Sequence, residues 1–356
     1  MIHFECDYAE GAHPRILERL SQTNDEQTLG YGEDEHCAKA AGYIRKYCGR
    51  EDADVHFLVG GTQANLTVIG ALLRSHQGVL SAGSGHVVGH ETGAIEATGH
   101  KVLTLTSLDG KITGDQVDRF CQSHHDDINH EHIVQPGMAY ISHPSENGTI
   151  YTKPELAALR KACDKWGIPL YMDGARMGYG LAASKNMASG ETGKPADECL
   201  ALQDIASLCD LFYIGGTKVG AMFGEALVIV NEDLKKDFRY QIKQRGAMLA
   251  KGRMLGIQFE ALFEDGLYFR ISEHAVAMAD RIREACRRKG FNFLHESPAN
   301  QVFPILPLDA IRILNEKYVF FERERTGEKE AAVRLCTSWA TKEEHIRQLT
   351  EDIMKL

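Results

Sequence analysis

Lys218 ends the segment Phe212-Tyr213-Ile214-Gly215-Gly216-Thr217-Lys218, where an apolar run stops at a Gly-Gly turn. An amine held in such a place loses charge when its surroundings are dry, and it then becomes a nucleophile. Asp173 closes a second run, Leu170-Tyr171-Met172-Asp173-Gly174-Ala175-Arg176, which sets a carboxylate and a guanidinium at one strand tip. A third run, Leu58-Val59-Gly60-Gly61-Thr62-Gln63-Ala64-Asn65, ends at a Gly-Gly turn and opens a helix. Backbone N–H groups at a helix start attract phosphate, and glycine lets the anion come close. Each segment also has a plain reading as a turn, an Asp-Gly corner or a solvated loop lysine.

Their combination matches the needs of pyridoxal phosphate (PLP). Gly61 and Thr62 offer N–H groups to the phosphate, Asp173 keeps the pyridine nitrogen protonated, and Lys218 meets the aldehyde. The phosphate loop comes first, then Asp173, then Lys218 45 residues later. That chain order resembles fold-type-I PLP enzymes. Three further segments narrow the resemblance: Asp173-Gly174-Ala175-Arg176, His86 followed five residues on by Glu91-Thr92-Gly93-Ala94, and Tyr31-Gly32-Glu33-Asp34. With them the chain resembles the L-threonine aldolases of the β-eliminating lyase group, from about residue 4 to its C-terminus.

The resemblance implies a role for each matching residue. His86 would lie flat on the cofactor ring and help handle the proton of the substrate's β-hydroxyl, with His90 as its competitor four residues on. Gln63 and Thr217 would join the cofactor site, Thr217 keeping the hydroxyl of the serine common before the lysine. Arg176 and Arg334 would clamp the α-carboxylate by paired hydrogen bonds; Arg334 lies among apolar neighbours in Ala332-Val333-Arg334-Leu335-Cys336-Thr337, so a structural carboxylate partner is its alternative. Lys251 and Arg253 match a segment that reaches a phosphate, of this or a neighbouring subunit, or else form a solvated helix-end pair. Tyr31 and Cys6 would stand near the substrate, Cys6 where the family commonly has serine. The loop His143-Pro144-Ser145-Glu146-Asn147-Gly148 departs from the family pattern.

The activity implied by this resemblance is retro-aldol cleavage of a β-hydroxy-α-amino acid, L-threonine or L-allo-threonine giving glycine and acetaldehyde. A β-elimination on another amino acid and a catalytically silent binding protein of the same fold are the alternatives. The resemblance also implies a homo-oligomer, dimer or tetramer, with sites at the subunit boundary.

The elements that must position these residues alternate. Short β-branched or aromatic runs (54–59, 78–81, 101–106, 138–142, 169–172, 210–214, 226–230) are separated by helical stretches such as 65–75, 115–123 and 153–166. Such alternation predicts an α/β fold, a mainly parallel seven-stranded sheet covered by helices, with ligands beyond the carboxyl ends of the strands. An N-terminal arm with a short helix is expected over 1–34, the large PLP-binding domain over 35–245, and a connecting helix with a small C-terminal α+β domain over 246–356. Helices are expected over 232–244 and 247–289, short strands near 302–306, 318–322 and 333–337, and an exposed loop over 184–198. Thr341-Lys342-Glu343-Glu344 reads as a capping box opening a terminal helix.

Composition sets outer bounds. The formal charge of −10 opposes a nucleic-acid backbone, and no basic patch offsets it. Nine scattered cysteines without a Cys-x-x-Cys pair argue against a disulfide framework or a zinc ribbon, and fit a cytoplasmic setting. Acidic residues near the start do not suit a signal peptide, and no apolar run is long enough for a bilayer. Gly216-Thr217-Lys218-Val219 lacks the Ser or Thr that follows a Walker lysine, Gly83-Ser84-Gly85 with Gly89 misses the dinucleotide spacing, and His86 with His90 lacks the zincin glutamate. The histidine-rich stretch 124–132 reads as a hydrated loop, so no metal is expected.

Overall fold

A computed structural model describes residues 1–189 and 195–356. Seven strands form the main sheet: β2 (Asp54–Leu58), β3 (Gln77–Ala82), β4 (Lys101–Leu105), β5 (Gln135–Ser142), β6 (Leu170–Asp173), β7 (Leu211–Gly215) and β8 (Glu225–Ile229), the two-residue β1 (Ile2–His3) lying elsewhere. Their spatial order is β2-β8-β7-β6-β5-β3-β4. All run parallel except β8, which is antiparallel to both neighbours. The central strands β6, β7 and β8 are buried along their whole length, as a sheet covered on both faces requires.

One face is covered by α3 (Gly61–Leu72), whose Ala64, Val68 and Ile69 pack with Tyr140, Tyr171 and Tyr213 of the sheet. On the other face, α1 (Pro14–Gln22), α2 (Glu35–Cys48), α5 (Gly114–Asp126), α6 (Lys153–Trp166), α7 (Met177–Ser189) and α8 (Leu202–Leu208) share a second apolar cluster. Thr113 and Thr152 cap α5 and α6 through complete capping boxes, which satisfies the N–H groups that each helix start leaves over.

A smaller antiparallel sheet, β10 (Ile305–Pro307), β13 (Glu330–Cys336) and β12 (Phe321–Arg325), with β9 (Gln301–Val302) also on β13, forms the C-terminal layer. β1 pairs in parallel with β11 (Tyr318–Val319), so the N-terminus is sewn onto this layer and Phe4 joins its core. The 23-residue α11 (Leu267–Lys289) links the two layers. Its first half, with Tyr268 and Val276, packs in the large core, and its second half, with Ile282 and Cys286, packs in the small one.

Four local expectations need correction. The helical stretch 247–289 is two helices, α10 (Arg253–Phe263) and α11, divided at Gly266, whose φ of +72° lies in the left-handed region that glycine enters without strain. Residues 232–244 hold a single 3₁₀ turn and α9 (Phe238–Gln244), with Asp237 at φ 59° between them. The loop placed at 184–198 is helical as far as Ser189, while 190–194 lie outside the described residues. The capping box at Thr341 does not form: α13 (Glu343–Lys355) starts after Lys342 without a side-chain cap, and the Thr341 hydroxyl accepts from the Ser338 N–H at 2.8 Å instead.

Candidate active site

The carboxyl ends of β5, β6 and β7 meet at one edge of the sheet, where Ser142 on β5 lies in register with Asp173 on β6. Because β8 is reversed, its first residue rather than its last arrives at this edge, and Gly215 pairs with Glu225. A cavity of about 330 Å³ opens there, lined among others by Gly61, Thr62, His86, Asp173, Arg176 and Lys218. A larger hollow of about 560 Å³ lies between Tyr47, Leu181, Leu200 and Phe269. The Lys153–Asp204 pair at its rim closes at 2.7 Å, so its charges are spent on one another.

Asp173 is buried, 4 % exposed, and accepts four hydrogen bonds. Tyr140 Oη donates to Oδ2 at 2.7 Å, Asn65 Nδ2 to Oδ2 at 3.0 Å, the Ala175 N–H to Oδ1 at 3.0 Å, and Tyr213 Oη makes a short contact to Oδ1. Burial alone would raise its pKa; the nearby His86 charge and the Tyr213, Tyr140 and Ala175 hydrogen bonds outweigh that and hold it below the ordinary value. Asp173 is therefore an anion fixed in a dry place, as a partner for a protonated ring nitrogen must be.

Asn65 ties this carboxylate to a histidine. The same Nδ2 donates to Glu91 Oε1 at 2.7 Å, and that oxygen meets His86 Nδ1 at 2.8 Å. Asn65 is itself fixed by the Tyr171 hydroxyl, which donates to its Oδ1 at 2.8 Å. Burial works to lower the His86 pKa, but the Glu91 hydrogen bond and the Asp173 charge offset it, and the pKa is raised.

Lys218 stands opposite. Burial and the neighbouring Arg176 lower its amine pKa, against the attraction of Asp7, Asp173 and Glu225. Its backbone is pinned by Tyr179 Oη, which donates to the Lys218 carbonyl at 2.5 Å. Glu225 sits beside it, 3 % exposed, accepting from Thr217 Oγ1 at 2.8 Å and from the Gly216 N–H at 3.2 Å. Burial pushes the Glu225 carboxyl up to about 8.

Gly60 precedes α3 in the cavity lining with no side-chain cap, which leaves the helix's first N–H groups available to an anion. Gly61 has no substitute there: a Cβ would lie 2.9 Å from Tyr213 Oη, the hydroxyl that braces Asp173. Thr62 and Thr217 also line the cavity, Thr217 taking the Gly224 N–H at 3.0 Å on the hydroxyl that it gives to Glu225.

The two arginines of the expected clamp sit in different surroundings. Arg176 lines the cavity, but Asp7 takes its Nε at 2.6 Å and its Nη2 at 3.0 Å. Arg334 has no carboxylate partner among the described residues. Its Nη2 donates to the Glu5 carbonyl at 3.0 Å, its guanidinium lies 5.2 Å from the Phe321 ring centre, and its buried Nε has no acceptor. A buried guanidinium N–H without a partner is costly, and an incoming anion would satisfy it.

Other expected residues, like Arg334, lie outside the cavity lining. His90 is exposed, its ring centre 5.6 Å from that of His86. Cys6 is half-buried, its thiol pKa raised by burial. Gln63 receives the Val59 N–H at 3.2 Å and donates to the Arg245 carbonyl at 3.4 Å. Tyr31 is exposed with Lys243 4.6 Å above its ring, and Lys251 is exposed too. Arg253 is spent on the carbonyls of Thr23 at 2.6 Å and Asn24 at 3.0 Å, which close the end of α1.

No sequence motif assigned a role to Asp7, Asn65, Glu91, Glu146 or Glu225. Asn65 and Glu91 stand inside the segments that carry the resemblance and could have been drawn from them. Asp7 and Glu225 carry no local signal, since the first acts through a contact 169 residues away and the second through strand reversal.

The profile of the beta-eliminating lyase family matches residues 9–342. The low specificity L-threonine aldolase of Pseudomonas sp. (strain NCIMB 10558) is 30 % identical over 98 % of this chain and 96 % of its own. That of Pseudomonas aeruginosa is also 30 % identical, with the same coverage. A solved Leishmania major threonine aldolase superposes with a TM-score of 0.93 at 42 % identity, covering 100 % of this chain and 99 % of that one. A Thermus thermophilus aspartate aminotransferase variant, at 16 % identity and TM-score 0.70 over 100 % of this chain and 91 % of that one, shares the fold. The fold is the fold-type-I arrangement of PLP enzymes, with a seven-stranded, mostly parallel sheet and a smaller C-terminal sheet domain.

Proposed function

The chain belongs to the beta-eliminating lyase family, and from that premise we propose that it is a PLP-dependent aldehyde-lyase cleaving L-threonine or L-allo-threonine to glycine and acetaldehyde. The observation that carries this reading is that Lys218, Asp173 and the uncapped start of α3 face one cavity. The residues fit the cofactor: N–H groups and a glycine cradle for its phosphate, an ionised carboxylate for its ring nitrogen, and an amine of lowered pKa for its aldehyde. A carboxylate has about four lone-pair sites, and Asp173 has them filled, so a ring N–H would have to take over one position now held by a hydroxyl or amide.

When bound, PLP supplies an aldehyde that takes up the substrate amine and a protonated ring that accepts electrons from Cα. Lys218 would be the residue that holds the cofactor through its amine. Arg334 holds the α-carboxylate through its unsatisfied Nε, and Arg176, locked on Asp7, offers its remaining Nη1. His86 would stand beside the cofactor and, with Nδ1 engaged by Glu91, would offer Nε2 to the substrate's β-oxygen. The exposed Tyr31 and Lys251 we assign to a neighbouring subunit's site, in a dimer or tetramer. A cytoplasmic setting is supported by nine free cysteines, and no described helix is long and apolar enough to cross a membrane.

Product analysis on both threonine diastereomers tests the reading. Glycine and acetaldehyde in equal amounts are expected, with an absorbance band at the visible edge that Lys218→Ala abolishes. 2-Oxobutanoate and ammonia without glycine would point to β-elimination instead.

A further inference from the structure

Three carboxylates line the cavity: Asp173, Glu225 and Glu146. Both oxygens of Asp173 and both of Glu225 are bonded. Glu146 differs. Its Oε1 accepts from Ser142 Oγ at 2.7 Å and from the His86 N–H at 2.9 Å, while its Oε2 is buried without a partner among the described residues.

The loop that presents it is held firmly. The Ser145 N–H donates to the Thr149 carbonyl at 2.8 Å, the two hydroxyls of Ser145 and Thr149 meet at 2.6 Å, and Thr149 Oγ1 donates to the Asp109 carbonyl at 2.8 Å. The His86 backbone is the donor to Oε1, so the glutamate and the imidazole are fixed relative to each other.

We propose that Glu146, through Oε2, is the catalytic residue that accepts the β-hydroxyl proton during cleavage; the inference rests on the aldolase reading. His86 is engaged through Nδ1 by Glu91, and among the described residues Glu146 Oε2 is the carboxylate oxygen of the cavity lining that has no partner. In the step the substrate's O–H bond breaks and a carboxyl O–H forms. The oxygen's electron pair becomes the carbonyl of the aldehyde, and the Cα–Cβ pair is left on the Cα side. A proton added there completes glycine, so the net proton count is zero. Burial raises the Glu146 carboxyl, with the Ser142 hydrogen bond opposing it and the Asp173 charge adding to it, which moves the group toward working pH as a general base requires.

Glu146→Gln separates the possibilities on the cofactor-loaded enzyme. Loss of a general base costs about 10²–10⁴-fold in rate, so threonine cleavage falls by that factor. The visible-edge band and the solvent exchange of glycine's α-proton, which involves no hydroxyl, stay at wild-type levels. Ser142→Ala, which removes a bond that lowers the Glu146 pKa, moves the acidic limb of kcat/KM to higher pH and leaves glycine exchange alone. Cleavage by Glu146→Gln near the wild-type rate, parallel loss of exchange and cleavage, or an unmoved limb in Ser142→Ala overturns the assignment. A wild-type enzyme that exchanges glycine protons but cleaves neither diastereomer overturns the aldolase reading itself, and Glu146's role with it.

Discussion

Arg176 and Asp7 form a two-bond ion pair, Nε to Oδ2 at 2.6 Å and Nη2 to Oδ1 at 3.0 Å, across 169 residues of chain. Asp7 is fully buried and also receives Asn300 Nδ2 at 2.8 Å, so one carboxylate joins the N-terminal arm, the end of β6 and the loop before β9. Breaking a buried pair by removing one charge costs about 3–5 kcal/mol, because the other charge stays buried. Asp7→Asn is therefore expected to lower the denaturation free energy by about that much and to raise KM for threonine. A urea midpoint within error of wild type would show the pair to be dispensable.

Gly61→Ala strikes where the phosphate seat touches the carboxylate brace. The added Cβ, 2.9 Å from Tyr213 Oη, pushes on a buried ring that is bonded to Asp173. Overpacking of this kind costs about 1–3 kcal/mol, which here falls on the cofactor-binding geometry. Titration followed by the visible-edge band should show weaker affinity, by about tenfold for each 1.4 kcal/mol that reaches binding. Unchanged affinity would place the phosphate elsewhere.

These two positions show why the site was only partly legible in sequence. Lys218, Asp173 and Gly61 stand at strand ends where a local motif marks them, and the sheet brings those ends together. Arg176 carries the same kind of mark, yet its working state is set by Asp7, a contact that no spacing reveals. Glu225 was hidden by direction: a run of apolar residues announces a strand but not which way it runs, and only the reversal of β8 delivers its first residue to the reactive edge. The long helical text after 245 failed for a similar reason, since one glycine in the left-handed region at Gly266 outweighs the helical periodicity on either side.

Arg334→Lys tests the carboxylate seat. Lysine keeps the charge but lacks the planar fork and the Nε–H that stands without an acceptor. KM for threonine should rise at least about tenfold, the equivalent of one lost charge-assisted hydrogen bond of about 1.5 kcal/mol, with a smaller change in kcat. A KM that stays put while kcat collapses would assign Arg334 to the chemical step instead.

Glu225 gives the cofactor-free protein a pH signature. Burial raises its carboxyl from the ordinary 4.5 to about 8 in the fold. Between those values the native state holds a proton that the unfolded chain has released, so the stabilisation is complete below the ordinary value and is lost as pH rises through about 8. Each pH unit of that window is worth at most about 1.4 kcal/mol. Glu225→Gln, which cannot ionise, should gain on wild type steadily from pH 5 to pH 8 in denaturation free energy. Parallel curves across that range would mean that Glu225 is already ionised in the folded protein, with Lys218 as its protonated partner.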